Sequence, residues 1–85
     1  MQQFTYTITD SLGLHARPAG LLVKLAKSLD SEITLQVGEK SACAKKLLSL
    51  MTMGVRQGDC VTVTVQGGRE EANRLVLEKF FQENL

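Results

Sequence analysis

Phe4, Tyr6 and Ile8 alternate with Thr5, Thr7 and Thr9. A period of two predicts a strand with one buried and one wet face. The period changes after a loop at Asp10 to Leu14. Ala19, Leu22, Val23, Ala26 and Leu29 then recur at helical spacing. They predict a helix from Ala16 to about Leu29 with one core stripe. Alternation returns at Ile33, Leu35 and Val37, set between Glu32, Thr34 and Gln36. Gly38-Glu39 reads as a turn into a short strand, Lys40 to Cys43. Lys46 to about Met53 suits a short helix, with Gly54 as its terminator. Gly58-Asp59 turns the chain into a fourth strand, where Val61, Val63 and Val65 alternate with Thr62, Thr64 and Gln66. Gly67-Gly68 ends that strand. A last helix is predicted from Arg69 to about Asn84, with Ala72, Leu75, Val76 and Phe80 on its inner face.

The order is therefore βαββαβα. Strands with one apolar and one polar face suit an antiparallel sheet that is covered on one side and wet on the other. The expected class is α+β: an open-faced β-sandwich with a four-stranded antiparallel sheet and three helices on one face. With 85 residues and no linker or low-complexity stretch, residues 1–85 are expected to form a single domain with one small core.

Composition narrows the function classes. The formal net charge is +1, which gives no global attraction to nucleic acid or membrane. No apolar run is long enough to span a bilayer. Met1-Gln2-Gln3-Phe4 lacks the charged and apolar regions of a signal peptide, so a cytoplasmic location is expected. Cys43 and Cys60 are too few for a disulfide scaffold and lack zinc-site spacing. They are expected to be reduced thiols acting as small apolar side chains. With one His, the chain offers no convincing metal site, and no cofactor is expected.

The single His and the single Pro lie in Leu12-Gly13-Leu14-His15-Ala16-Arg17-Pro18-Ala19-Gly20. His15 falls at or near the N-cap of the first helix, and Pro18 falls in its first turn. A missing N–H costs little there, and the fixed φ is already helical. A helix start gathers unpaired N–H groups and the positive end of the dipole. That field disfavours imidazolium and leaves a neutral ring whose lone pair is a nucleophile. The same groups favour an anion attached to the ring, and Arg17 adds a fork that matches phosphate oxygens. The local residues are equally compatible with a loop His, a solvated Arg and an ordinary helix-starting Pro.

Arg17, Gly20, Lys24 and Lys27 form one stripe along the helix. Gly20 costs about 1 kcal/mol relative to Ala in a helix interior. Either close approach of a partner or packing against the domain's own body would explain it. In the second helix, Leu47, Leu48, Leu50, Met51 and Met53 are too many apolar groups for one narrow stripe. Leu47, Leu48 and Met51 are either a sticky surface patch or deeply buried. Lys45 and Lys46 suit an exposed surface rather than a helix N-terminus.

These residues resemble the histidine phosphocarrier proteins (HPr) of the bacterial phosphoenolpyruvate–sugar phosphotransferase system. The resemblance spans essentially the whole chain: its length, the βαββαβα order, Gly13-Leu14-His15-Ala16-Arg17-Pro18-Ala19, and the Lys40-Ser41-Ala42 to Met53-Gly54 region. It implies a phosphoryl carrier, rather than a stand-alone enzyme, that needs no cofactor. Phosphorylated enzyme I would donate the group to Nδ1 of His15, and IIA domains of sugar permeases would receive it. Arg17 would balance the phosphoryl charge, and Pro18 would be structural. Gly20, Leu21, Lys24, Lys27, Leu47, Leu48, Met51 and Thr52 would form the docking face of a protein expected to be a monomer. One departure stands out. Many Gram-positive members carry a regulatory Ser at the start of the second helix, where this chain has Lys46. No Ser-based switch is expected at that position, although Ser41 and Ser49 are nearby.

Two other readings compete. One is a paralogous carrier of a regulatory, nitrogen-related branch, with the same chemistry and different partners. The other is a pure interaction module on the same fold, with RNA as one kind of partner. Near-neutral charge and the lack of exposed stacking aromatics on the strands argue against RNA. The presence of His15 argues against an inert binder.

Overall fold

The structure, a computed structural model, describes residues 1–85. The elements are β1 (Gln2–Thr7), α1 (Ala16–Ser28), β2 (Glu32–Val37), β3 (Lys40–Cys43), α2 (Leu47–Thr52), β4 (Cys60–Gln66) and α3 (Glu70–Asn84). The βαββαβα order is as expected. Strand β1 starts and ends two residues before the Phe4–Thr9 alternation, yet Ile8 beyond it is still buried. The four strands form one antiparallel sheet in the order β1-β4-β2-β3.

Register explains the two faces. Phe4 lies opposite Val63, Val63 opposite Leu35, and Leu35 opposite Ala42. That row faces the helices, as do Val61, Val65 and Ile33, which are fully buried. The neighbouring row, Gln3–Thr64–Thr34–Cys43, lies on the other face. A one-residue slip would exchange the two rows, so burial of the valines fixes the pairing. Both cysteines are free; Cys60 is exposed and Cys43 half-buried on the polar face. They are therefore not apolar filling for the core, and β2 lies between their strands.

Helix α1 buries Ala19, Leu22 and Ala26, with Val23 and Leu29 packed at the edge of the core. This is the predicted stripe. Helix α3 is rotated from expectation by one residue, about 100°. It buries Asn73, Leu77 and Phe81, whereas Ala72, Leu75 and Val76 are exposed and Phe80 is partly buried. The cause is a polar residue that belongs inside. Asn73 Nδ2 donates to Asp30 Oδ1 (2.7 Å) and to Ser31 Oγ (2.8 Å). Those bonds compensate its burial. The same rotation sets Phe81 edge-on to Phe4 and Tyr6, with ring centroids 5.7 and 5.6 Å away.

The Asn73 hydrogen bond, together with the Arg69 N–H and the Arg69 charge, holds the Asp30 carboxyl below the usual carboxylate range against a smaller opposing desolvation. A lowered folded pKa gives stability that is present at neutral pH and lost as pH falls through it, below about pH 4. Asn73→Ala removes the largest of these causes. Thermal melts from pH 7 to pH 3 should show a lower Tm at pH 7 and a shallower fall in acid than the parent. An identical pH profile would contradict this account of Asp30.

Candidate functional site

The loop between β1 and α1 is held from three directions. Asp10 Oδ1 accepts the Leu12 N–H (2.8 Å), and the Asp10 carbonyl accepts the Gly13 N–H (3.0 Å). The Leu14 N–H donates to the Val55 carbonyl (3.1 Å), just beyond α2. The N–H groups of Thr9 and Asp10 and the Thr9 hydroxyl all donate to the Leu85 main-chain oxygen, at 2.6, 2.9 and 3.0 Å. Gly13 has φ +65°, and a Cβ there would sit 2.3 Å from the Val55 oxygen. Only glycine fits that close approach at that angle.

His15 follows as the residue before the first turn, with extended backbone (φ −90°, ψ −178°). Its carbonyl accepts the Ala19 N–H (3.0 Å), the first bond of α1. Its ring makes no capping bond and is 36% exposed, so it is free for other work. The N–H groups of Ala16 and Arg17 have no protein partner, and Pro18 has none to satisfy. Buried Pro18 anchors the turn while these two donors stay open beside the His. Such an arrangement offers two free donors to an anion, with an imidazole at their edge.

An open cleft of about 330 Å³ brings together His15, Arg17, Pro18 and Leu21 with Asp10 and with Glu83 and Asn84 at the end of α3. Sequence reasoning assigned roles to the first four and to none of the last three. His15 Nε2 lies 3.8 Å from Asp10 Oδ2, too long for a hydrogen bond. Asp10 had a local signal in its side-chain turn onto Leu12. Glu83 and Asn84 had none, being nearly the whole chain away from His15.

The remaining predicted residues spread away from the cleft. Arg17, Lys24 and Lys27 are exposed along α1. A Cβ on Gly20 would meet nothing within 4 Å, so its bare backbone does not serve packing of the domain. Helix α2 is anchored by buried Leu50 and Met53, while Leu47, Leu48 and Met51 are 46, 77 and 40% exposed. The structure thus decides for the surface patch. Thr52 is exposed beside it, and Lys46 is exposed at the start of α2. Helix α2 packs on α1, and the Val55–Leu14 bond ties its C-terminal end to the His15 loop.

A sequence-family model described as the phosphorylation site of the PTS HPr component matches residues 2–83. The phosphocarrier protein HPr of Haemophilus influenzae is 47% identical over 64 residues, 75% of each chain. That of Vibrio cholerae is 44% identical over 71 residues, 81% of this chain and 84% of the relative. Among solved structures, the chain is similar to a histidine-containing phosphocarrier protein of Mycoplasma (TM-score 0.92, 30% identity, 96% of this chain and 93% of that one). It is also similar to HPr-C-His from Thermoanaerobacter tengcongensis (TM-score 0.91, 34% identity, 98% and 93% covered).

Two glycines give opposite expectations. Gly13→Ala should cost about 1–3 kcal/mol through φ strain and the Val55 clash. Gly20→Ala should raise stability by up to about 1 kcal/mol. Denaturant melts would check both, and a destabilised Gly20→Ala would contradict the open space above that residue.

Proposed function

The chain belongs to the HPr family of phosphotransferase-system components, and from that premise we propose that it carries a phosphoryl group on Nδ1 of His15. In this reading it takes the group from phosphorylated enzyme I and gives it to IIA domains of sugar permeases. The observation that carries the reading is the pair of unpartnered N–H groups, on Ala16 and Arg17, beside a partly exposed imidazole. They are already in place for a phosphoryl oxygen, so accepting one costs little reorganisation. Arg17 borders the same cleft, and its guanidinium offsets the incoming charge in this reading. No cofactor or metal is needed, because positioning and electrostatics do most of the work in phosphoryl transfer.

The open cleft offers little enclosure for a small molecule, and the partner enzyme completes the site. Gly20, Leu21, Lys24 and Lys27 on α1, with Leu47, Leu48, Met51 and Thr52 on α2, form the docking face in this reading. Exposed cations steer acidic partners, while exposed apolar groups supply contact area. Lys46 keeps the start of α2 positive and cannot accept phosphate in place of a regulatory Ser. We read the 85 residues as one HPr-like domain acting as a monomer in the cytoplasm. No helix is long and apolar enough to cross a membrane.

Incubation with phosphoenolpyruvate and enzyme I should give acid-labile phosphate, and His15→Ala should give none. Label persisting in that variant would sink the assignment. Arg17→Ala should slow transfer about a hundredfold, the scale of losing one preorganised charge stabiliser, with an unchanged Tm. A large Tm loss would make Arg17 structural instead. ATP with HPr kinase should leave no label, and a phosphoserine would contradict the reading of Lys46.

A further inference from the structure

We infer that Asp10 is a positioning residue that selects the tautomer of His15, holding the ring proton on Nε2 and leaving the Nδ1 lone pair free. The inference rests on the proposal that His15 is the phosphoryl acceptor. Asp10 is tied down through its other polar atoms. Its N–H donates to the Leu85 main-chain oxygen, its carbonyl accepts the Gly13 N–H, and Oδ1 accepts the Leu12 N–H. Oδ2 alone is left over, and it lies 3.8 Å from His15 Nε2. At that distance no hydrogen bond forms, but the carboxylate's negative charge favours a ring N–H facing it over a lone pair. The other charged groups bordering the cleft are Arg17 on α1 and Glu83 on α3. Asp10 is the only carboxylate with an oxygen within 4 Å of a ring nitrogen.

The consequence for transfer follows from the charge balance. The Nδ1 lone pair forms the new bond to phosphorus as the donor's bond to phosphorus breaks, and the electron pair of the broken bond stays on the donor protein, which leaves dephosphorylated. The Nε2 proton stays where it is, so the ring becomes a cation. Asp10 faces that cation from the nitrogen that does not carry the phosphoryl group. The positive charge is thus met on one side by a carboxylate and on the other by the phosphoryl oxygens.

Asp10→Asn makes the idea testable because the loop dictates how Asn must sit. The Leu12 N–H requires an acceptor at the Oδ1 position, so the amide NH2 takes the place of Oδ2. It then donates toward Nε2 and favours the Nδ1–H form. Nitrogen NMR of ¹⁵N-labelled full chain, followed with rising pH until the ring signals stop moving, reads the neutral tautomers directly. The ratio of Nε2–H to Nδ1–H should fall about tenfold in Asp10→Asn, and phosphoryl acceptance should slow in proportion to the Nε2–H fraction lost, by less than that factor. Asp10→Ser keeps an acceptor for the Leu12 N–H and puts nothing against the ring. Its ratio should fall between the other two, and it serves if Asp10→Asn does not fold. A purely structural role for Asp10 would leave the tautomers unmoved in folded variants, and that result overturns the inference. Phosphorus NMR of the phosphorylated parent separates the two levels. Phosphate off His15 defeats the functional reading, whereas phosphate on Nδ1 with the same tautomer ratio in every variant defeats only the role of Asp10.

Discussion

The site depends on how the backbone between Ile8 and Ala16 is held. The segment turns a strand into a helix, and its polar groups are bonded to parts of the fold distant in sequence. Leu14 hangs from Val55, just after α2, and Thr9 and Asp10 hang from Leu85, just after α3. Gly13 permits the closest of these approaches. Without those ties the N-terminus of α1 would fray, as helix ends do when unsupported. With them, the orientation of two N–H groups and one imidazole is set by the ends of all three helices. A carrier that must present one geometry to different partners gains from such preorganisation, because little ordering is left to be done on contact.

The rest of the fold makes that loop rigid. The valines of β4 lie between Phe4 and Tyr6 on one side and Ile33 and Leu35 on the other, giving the sheet a continuous apolar face. Leu22 and Ala26 of α1 and Leu77 and Phe81 of α3 close over it. Apolar packing is thus concentrated under the helices, while the opposite face of the sheet carries mostly threonine and glutamine, with Cys43 and Cys60 among them. The short helix α2 follows a different rule. Leu50 and Met53 hold it down, and its other apolar side chains stay in water. Exposed groups of that kind are costly in isolation and suit a surface that is covered by partners in turn.

Much of this was legible in the chain itself. Alternation at Val61, Val63 and Val65, and helical spacing from Ala19 to Leu29, report burial directly, so those elements came out nearly as observed. His15, Arg17 and Pro18 were legible because a helix start has its own residue grammar. Helix α3 was not, because hydrophobicity counts Asn73 as a surface residue and cannot see Asp30 and Ser31 waiting for it. Its true face was therefore missed by one position. The cleft was legible only on its α1 side. Glu83 and Asn84 reach it through tertiary packing, which leaves no periodic trace. Asp10 could be read as a turn residue, but its free oxygen faces His15 only once the loop is closed. The apolar excess in α2 could not decide between patch and core, and the burial of Leu50 alone on that helix resolved it.

In the proposed reading, the start of α1 is a receptor for negative charge, built before any phosphoryl group arrives. The most direct test is the amide proton–nitrogen spectrum of the protein before and after phosphorylation. The account predicts that the largest downfield amide proton shifts belong to Ala16 and Arg17, as their free N–H groups take up phosphoryl oxygens, with the sheet amides unmoved. If those two signals stay in place while the phosphoryl group is bound, the helix N-terminus does not hold it and the account is contradicted.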